Sequence, residues 1–296
     1  MTIVTDSYSN IKEEYLQALA WIEGLGVNFS SGRTQHYGKV ISHWSTAYQT
    51  ASEQEAKDMF PDFVSSTFEI MEFVDIYRAL KNVSASELGP IAEKLQKGVN
   101  GPFNAAKESV KSTTARNFIF EALVASRCHR PKNGVSTIFN STSDTAIQIG
   151  LNRIFIECKR LTSLGKLESN VRQACNQLES SIKRNISSQA RGIVALDFSK
   201  ILHSGDKLLV KKNDKELTRE LDTITDRIVT QYSKEWQKIY EKKNKNIIGT
   251  LIRFSTMATS EERNLMVKAG QWAVIQKSKI RPSDSCLIQK FATLIK

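Results

Sequence analysis

Only four cysteines occur in the 296 residues, at Cys128, Cys158, Cys175 and Cys286, and none stands at zinc-ligand spacing from another. That excludes the paired-cysteine zinc modules, and thiols set in mostly apolar segments fit a reduced, cytosolic protein. The four histidines, His36, His43, His129 and His203, are scattered without a metal or triad pattern. No apolar stretch approaches twenty residues, so no membrane span is expected. The leading segment MTIVTDSYSNIKEEY has no basic-then-apolar signal, which predicts a cytoplasmic chain. No lipid-inserting helix or lipidation signal competes with that reading. A G-x-x-x-x-G-K-[ST] phosphate loop is also missing, so any ATP-driven activity would belong to a partner. There is no internal repeat and no low-complexity segment.

What is present is positive charge, unevenly spread. The formal net charge is +11. Residues 1–110 hold 9 Lys or Arg against 14 Asp or Glu, a net of −5, and the remainder holds 33 against 17, a net of +16. A basic field of this kind attracts a phosphate backbone without sequence preference. The segments KLLVKKNDK and KKNKN are its densest clusters, although a lysine run is commonly a solvated loop. Nucleic acid is therefore the expected partner, ahead of an anionic membrane.

The charge asymmetry, with the helix-breaking run Lys97-Gly98-Val99-Asn100-Gly101-Pro102, predicts two domains, 1–100 and 101–296. Helical spacing covers Ser7 to Leu25, and helix-length stretches run over 47–59, 61–81 and 84–97, with a loop between Gly26 and Gly38. The amino-terminal part thus reads as an acidic helical bundle, suited to oligomerisation, partner binding or covering a site. Downstream, Leu221, Ile224, Ile228, Tyr232, Trp236 and Ile239 mark a long amphipathic helix over about 217–243. IIGTLIRFSTMA and GQWAVIQ read as strands, with a short helix expected between Ser260 and Lys268.

The segment TSDTAIQIGLNRIFIECKR carries the chemistry. Two apolar, β-branched runs flank Gly150-Leu151-Asn152, the pattern of a β-hairpin. A tight turn there pairs residues whose numbers sum to 301–303, which brings Asp144 opposite Glu157, Cys158 or Lys159. Strand alternation puts Glu157 and Lys159 on one face and Cys158 on the other. Two carboxylates and an ammonium among apolar strands are costly unless paired or holding a metal. An E-x-K triplet alone is commonly a solvated ion pair, but IFIEC suits a buried central strand, where unpaired charge is disfavoured.

This arrangement resembles the PD-(D/E)xK nuclease superfamily over roughly Ala115 to Ser199. The resemblance implies an αβββαβ core with a mixed central sheet, an α/β (α+β) restriction-endonuclease-like fold behind the helical amino-terminal domain. Asp144 takes the place of the acid on the second strand, and Glu157 and Lys159 that of the E-x-K on the third. Glu121, the only charged residue between Phe118 and Ala125, matches the acid often found on the preceding helix; an ordinary helix position is the plainer alternative. Gln173 and Gln177, one turn apart, match the polar residue of the following helix, or are simply its surface. RGIVALDFS would be the next core strand. The pattern departs from the family in having Thr142 and Ser143, not proline, before Asp144.

The resemblance implies Mg²⁺ (or Mn²⁺) on Asp144 and Glu157, with the Cys158 carbonyl and Glu121 in reach. Lys159 would orient or deprotonate the attacking water or screen developing charge, and Arg160 would meet a flanking phosphate, an ordinary surface arginine being the plainer alternative. The expected activity is metal-dependent phosphodiester hydrolysis, on DNA in preference to RNA, in restriction or defence, with a homodimer or protein partner accommodated. The alternative is a catalytically inactive, nuclease-like nucleic-acid-binding or scaffold protein.

Overall fold

The computed structural model describes residues 7–29, 32–47, 50–104, 108, 113–185, 187–202, 207–263 and 265–295. His203 falls outside them. The protein is mixed α/β, and the chain folds into two compact units. The first comprises Met1–Ala122, Leu202–Leu221 and Ser255–Ala269, and the second Leu123–Ile201, Asp222–Phe254 and Gly270–Lys296.

The first unit is built on helices α1 (Tyr8–Gly24), α2 (Arg33–Ala47), α3 (Glu53–Leu80), α4 (Gly89–Gly98) and the first half of α5 (Thr114–Cys128). Ser7 caps α1, and Ser52 with Glu55 forms a capping box at the start of α3. Three expectations are corrected here. The stretches 47–59 and 61–81 are not two helices: α3 runs through Pro61. Proline forfeits one backbone hydrogen bond, but the box upstream and the buried run Phe63, Val64, Ile70, Phe73 and Val74 downstream hold the helix together. The helix expected from Ser84 begins later, at Gly89-Pro90, because proline suits a first turn whose N–H groups are unpaired anyway. The expected loop to Gly38 ends early, because α2 starts at Arg33.

That early start depends on charge. Arg33 is fully buried, donating from Nη1 to Glu69 Oε2 at 3.0 Å and from Nη2 to the Gly98 carbonyl at 2.7 Å. Arg116 joins the same carboxylate through Nε at 2.5 Å and reaches the Pro102 carbonyl at 2.9 Å. Tyr37 donates to the Phe103 carbonyl at 2.8 Å, and burial raises its phenol well above the ordinary value. One carboxylate thus bridges two buried guanidiniums across α2, α3 and α5, and the buried Glu108 stands 4.0 Å from Arg116 as a second counter-charge.

The second unit holds strands β1 (Val135–Ile138), β2 (Thr145–Ile149), β3 (Asn152–Arg160), β4 (Ala190–Asp197) and the first part of β6 (Ile247–Ser260). They lie in the order β1-β2-β3-β4-β6. β1, β2 and β3 form an antiparallel meander, and β4 runs parallel to both β3 and β6. Helix α6 (Leu167–Arg184) connects β3 to β4 and buries Leu167, Val171, Ala174, Cys175, Leu178 and Ile182. Those side chains pack with Phe155, Val194 and Leu196, and with Ile228, Trp236 and Tyr240 of α8 (Asp214–Glu241), which follows the one-turn α7 (Ser199–Leu202) in the chain, in one apolar cluster. Gly192 permits this approach: a β-carbon there would meet Ile182 at 3.2 Å and Leu178 at 3.3 Å. On the opposite face, α9 (Pro282–Leu294) is fixed by the buried Arg191–Asp284 ion pair.

The short helix expected over Ser260 to Lys268 is also corrected. In the first unit, β6 continues to Ser260 because it pairs in parallel with β5 (Leu208–Lys211), and β7 (Val267–Gln276) already begins at Val267. The described residues between them form a turn, held by Arg263 on Asp214. Too few residues remain to meet the cost of helix nucleation. No helix among the described residues is long and apolar enough to cross a membrane.

Glu69→Ala strands two buried arginines and should lower the unfolding free energy by about 3–5 kcal/mol, the cost of breaking a buried ion pair, measured by chemical denaturation. Cys128, Cys158 and Cys175 are buried and Cys286 is exposed, so one thiol should react with a disulfide reagent in the native protein and four after denaturation. Burial pushes the Cys128 and Cys175 thiols up from 9.0 to about 12, so the fold keeps protons that the unfolded chain releases. Their contribution to stability should be complete below pH 9 and lost as pH rises through about 12.

Candidate functional site

Gly150 has φ of +57°, and it is the first of two residues between the paired Ile149 and Asn152. Positive φ at the first central residue alone is the requirement of a II′ hairpin turn, which glycine meets without strain. The turn sets Thr145 opposite Ile156 and Ala146 opposite Phe155. Continued by one residue, the same register brings Asp144 opposite Glu157.

The ladder gives way at that point. The Cys158 N–H donates at 2.7 Å to Asp144 Oδ2, taking a side-chain oxygen as acceptor. Within a strand, a residue's N–H and C=O point to the same side. The Cys158 carbonyl is therefore directed toward the side of the sheet that Asp144 occupies. Glu157 is 2% exposed and shares the α6 face of β3 with Phe155 and Lys159 by alternation. Lys159 Nζ donates at 2.7 Å to Oε1 of Gln177 on α6. The structure thus unites Asp144 with the Cys158 backbone and Lys159 with Gln177.

The remaining sequence-derived residues are placed differently. Glu121 lies in the first unit, 9% exposed, and its carboxylate pairs with the Lys94 ammonium. Gln173 is an exposed α6 position one turn before Gln177. Arg160 is half-buried, faces away from Lys159 by alternation and stands in register with Asp197. Among the described residues, no three His, Cys, Asp or Glu side chains cluster to hold a metal. A divalent ion of the magnesium type needs less, since one or two carboxylates suffice when waters and substrate oxygens complete the shell. Asp144, Glu157 and the Cys158 carbonyl offer oxygen atoms of the chemical type such an ion takes.

A further charged group went unread in the sequence. Asp197, at the end of β4, is 1% exposed; it accepts from Arg253 Nη1 at 3.0 Å and from the Ser199 N–H at 2.9 Å and hydroxyl at 2.5 Å. The signal was available: one aspartate closes the apolar run RGIVALD, and one arginine interrupts IIGTLIRF. Two opposite charges in neighbouring buried strands have strong reason to meet.

Comparison with protein-family models, curated proteins and solved structures finds no match for this chain.

The hydrogen bond to Cys158 gives Asp144 a structural duty that is separable from any chemistry. Asp144→Ala should cost about 1.5–3 kcal/mol, the usual range for a hydrogen bond to a charged group. Asp144→Asn retains an oxygen acceptor and should cost less than half as much, both read from denaturation midpoints.

Proposed function

We propose that this protein is a metal-dependent nuclease of the PD-(D/E)xK type, with a restriction-endonuclease-like core, hydrolysing phosphodiester bonds of nucleic acid and of DNA before RNA. The observation that carries the reading is the end of the β2–β3 hairpin: Asp144 is bonded to Cys158, Glu157 and Lys159 share a face, and Gln177 receives the Lys159 amine. The element order α5-β1-β2-β3-α6-β4, with β3 parallel to β4, supports it. So does the +16 net charge of residues 111–296, in which all of these residues lie.

Asp144, Glu157 and the Cys158 carbonyl would hold Mg²⁺ or Mn²⁺, whose chemistry is to acidify a water and neutralise charge on the phosphate. Lys159 shares the α6 face of β3 with Glu157, its ammonium anchored by Gln177. From there it orients the attacking water or offsets charge that builds on the phosphate oxygens. Apolar strand positions around Glu157 reduce the local dielectric and strengthen those interactions.

The lack of a third clustered acid among the described residues, with Glu121 held by Lys94, favours one alternative: a nuclease-like core that binds nucleic acid without cutting it.

Purified protein incubated with plasmid, linear duplex, single strands and RNA separates the two. We expect cleavage with Mg²⁺ or Mn²⁺ that EDTA abolishes without altering the circular-dichroism spectrum. Asp144→Asn and Lys159→Ala should each reduce the rate at least 100-fold, about 2.7 kcal/mol of transition-state stabilisation. Binding without cleavage in every condition establishes the non-catalytic reading, and cleavage surviving both substitutions removes the site. Glu121→Gln assigns that residue: a comparable loss places it with the metal, and retained activity leaves it as the brace for Lys94.

A further inference from the structure

A recess of about 170 Å³ opens in the second unit beside the hairpin site. Ala146 and its cross-strand partner Phe155 line it; Phe155 and Glu157 lie two residues apart on one face of β3, and Asp144 precedes β2, two residues before Ala146. Two residues of strand span roughly 7 Å. The polar part of the lining includes Arg153, Arg184 and the hydroxyl-bearing Ser141, Thr142 and Ser181, and no aspartate or glutamate contributes. Ser181 is 3% exposed, so one hydroxyl stands deep in the recess.

Arg153 is half-buried and Arg184 is exposed at the mouth of the recess. Arg33, Arg116, Arg191 and Arg253 each hold a carboxylate. Arg153 and Arg184, by contrast, have neither an ion pair nor a hydrogen-bond partner among the described residues. Two guanidiniums facing one acid-free recess repel each other until an anion joins them, and a planar fork of N–H donors matches phosphate oxygens two at a time. The carboxyl end of α6 opposes an anion with about half a negative charge. Two full positive charges outweigh it.

We propose that this recess binds a phosphate group of a nucleic-acid strand and holds it beside the phosphodiester addressed by Asp144 and Glu157. Phosphates advance about 3.4 Å per nucleotide along the helix axis and are spaced more widely along the strand itself, so the roughly 7 Å offset corresponds to one or two nucleotides. That the phosphate belongs to a nucleic acid rests on the nuclease reading; that the recess takes phosphate rests on its own lining. The phosphate is either a terminal monoester or an internal diester, and the same chemistry recognises both.

The test uses the full chain in EDTA, so that nothing is cut. Inorganic phosphate is titrated while the arginine Nε–Hε resonances are followed, and fluorescent octanucleotides with a 5′-phosphate, a 3′-phosphate or two hydroxyl ends are titrated in parallel. Phosphate should shift the Arg153 and Arg184 signals saturably. Arg153→Gln with Arg184→Gln should weaken phosphate binding at least tenfold while leaving the melting temperature unchanged, and Arg153→Lys should retain part of the affinity. A terminal site gives one phosphorylated octamer an advantage of at least fivefold, which the double variant erases. An internal site binds all three octamers alike, and the double variant weakens each, with a salt slope shallower by about 0.7 per lost contact.

The proposal is overturned if the folded double variant binds phosphate and octamers as the wild type does. If the recess takes phosphate but the variants leave octamer binding untouched, its role in holding a nucleic acid is refuted. The two readings fail separately. Cleavage that depends on Asp144 beside unaltered binding in the arginine variants removes the recess alone, and arginine-dependent binding by a protein that cuts nothing removes the nuclease alone.

Discussion

The register of β2 against β3 is the constraint on which the rest of the site depends. Alternation along a strand is strict, so the two-residue turn at Gly150-Leu151 decides at one stroke which side chains share a face seven positions away. It sends Phe155 into the α6 core, and with it Glu157 and Lys159 toward the same helix. It also ends the paired part of β2 at Thr145, where the Asp144 carboxylate becomes the acceptor for the Cys158 N–H. The apolar packing of the hairpin and the placement of its charges are consequences of a single geometric choice. Neither can be altered without the other.

Charge is handled in two ways in this protein. Arg33 and Arg116 meet on Glu69, Arg253 meets Asp197, and Arg191 meets Asp284, each nearly inaccessible and each paired with a carboxylate. Buried pairs of this kind contribute little net stability against a hydrophobic equivalent, but losing one partner is expensive. They therefore act as alignment devices: in the second unit, Asp197–Arg253 joins β4 to β6, and Arg191–Asp284 fastens α9 to β4. The residues we propose for binding are held in a different manner. Lys159 rests on a neutral amide, and Arg153 and Arg184 border a recess lined by hydroxyls and apolar atoms. Among the described residues their charge meets no carboxylate, which suits the electrostatic role toward an external anion that we propose for them.

The hairpin was legible in the sequence because its signals agree. Two β-branched runs, a glycine at the turn and a parity rule leave one arrangement, and the register sum of 301 lies within the range they allow. Helix α8 was legible from its own apolar period, whereas strand β4 and helices α5 and α6 were expected through the resemblance that the hairpin carries. Helix α2 was not. Its buried face opens with Arg33, which looks like surface until Glu69, thirty-six residues on, is known to neutralise it. Pro61 misled in the opposite direction, since local propensity signals a break that packing along the rest of α3 overrides. The turn after Ser260 depended on a pairing between β5 and β6 that no local window contains. At the site, the Asp144 contact followed from register, but the burial of Glu121 against Lys94 joins positions that share no periodic pattern. The recess was beyond reach: Arg153 and Arg184 sit on different elements, and an arginine's neighbours cannot be read from its own segment.

The brevity of the connection at Gly150 has one further implication, for how this chain can change over time. Substitutions at the exposed Leu151 should drift freely, whereas lengthening either strand by one residue would invert its inward and outward sets together. Relatives of this protein, however diverged, should therefore keep the count between Asp144 and Glu157 fixed and place their insertions elsewhere.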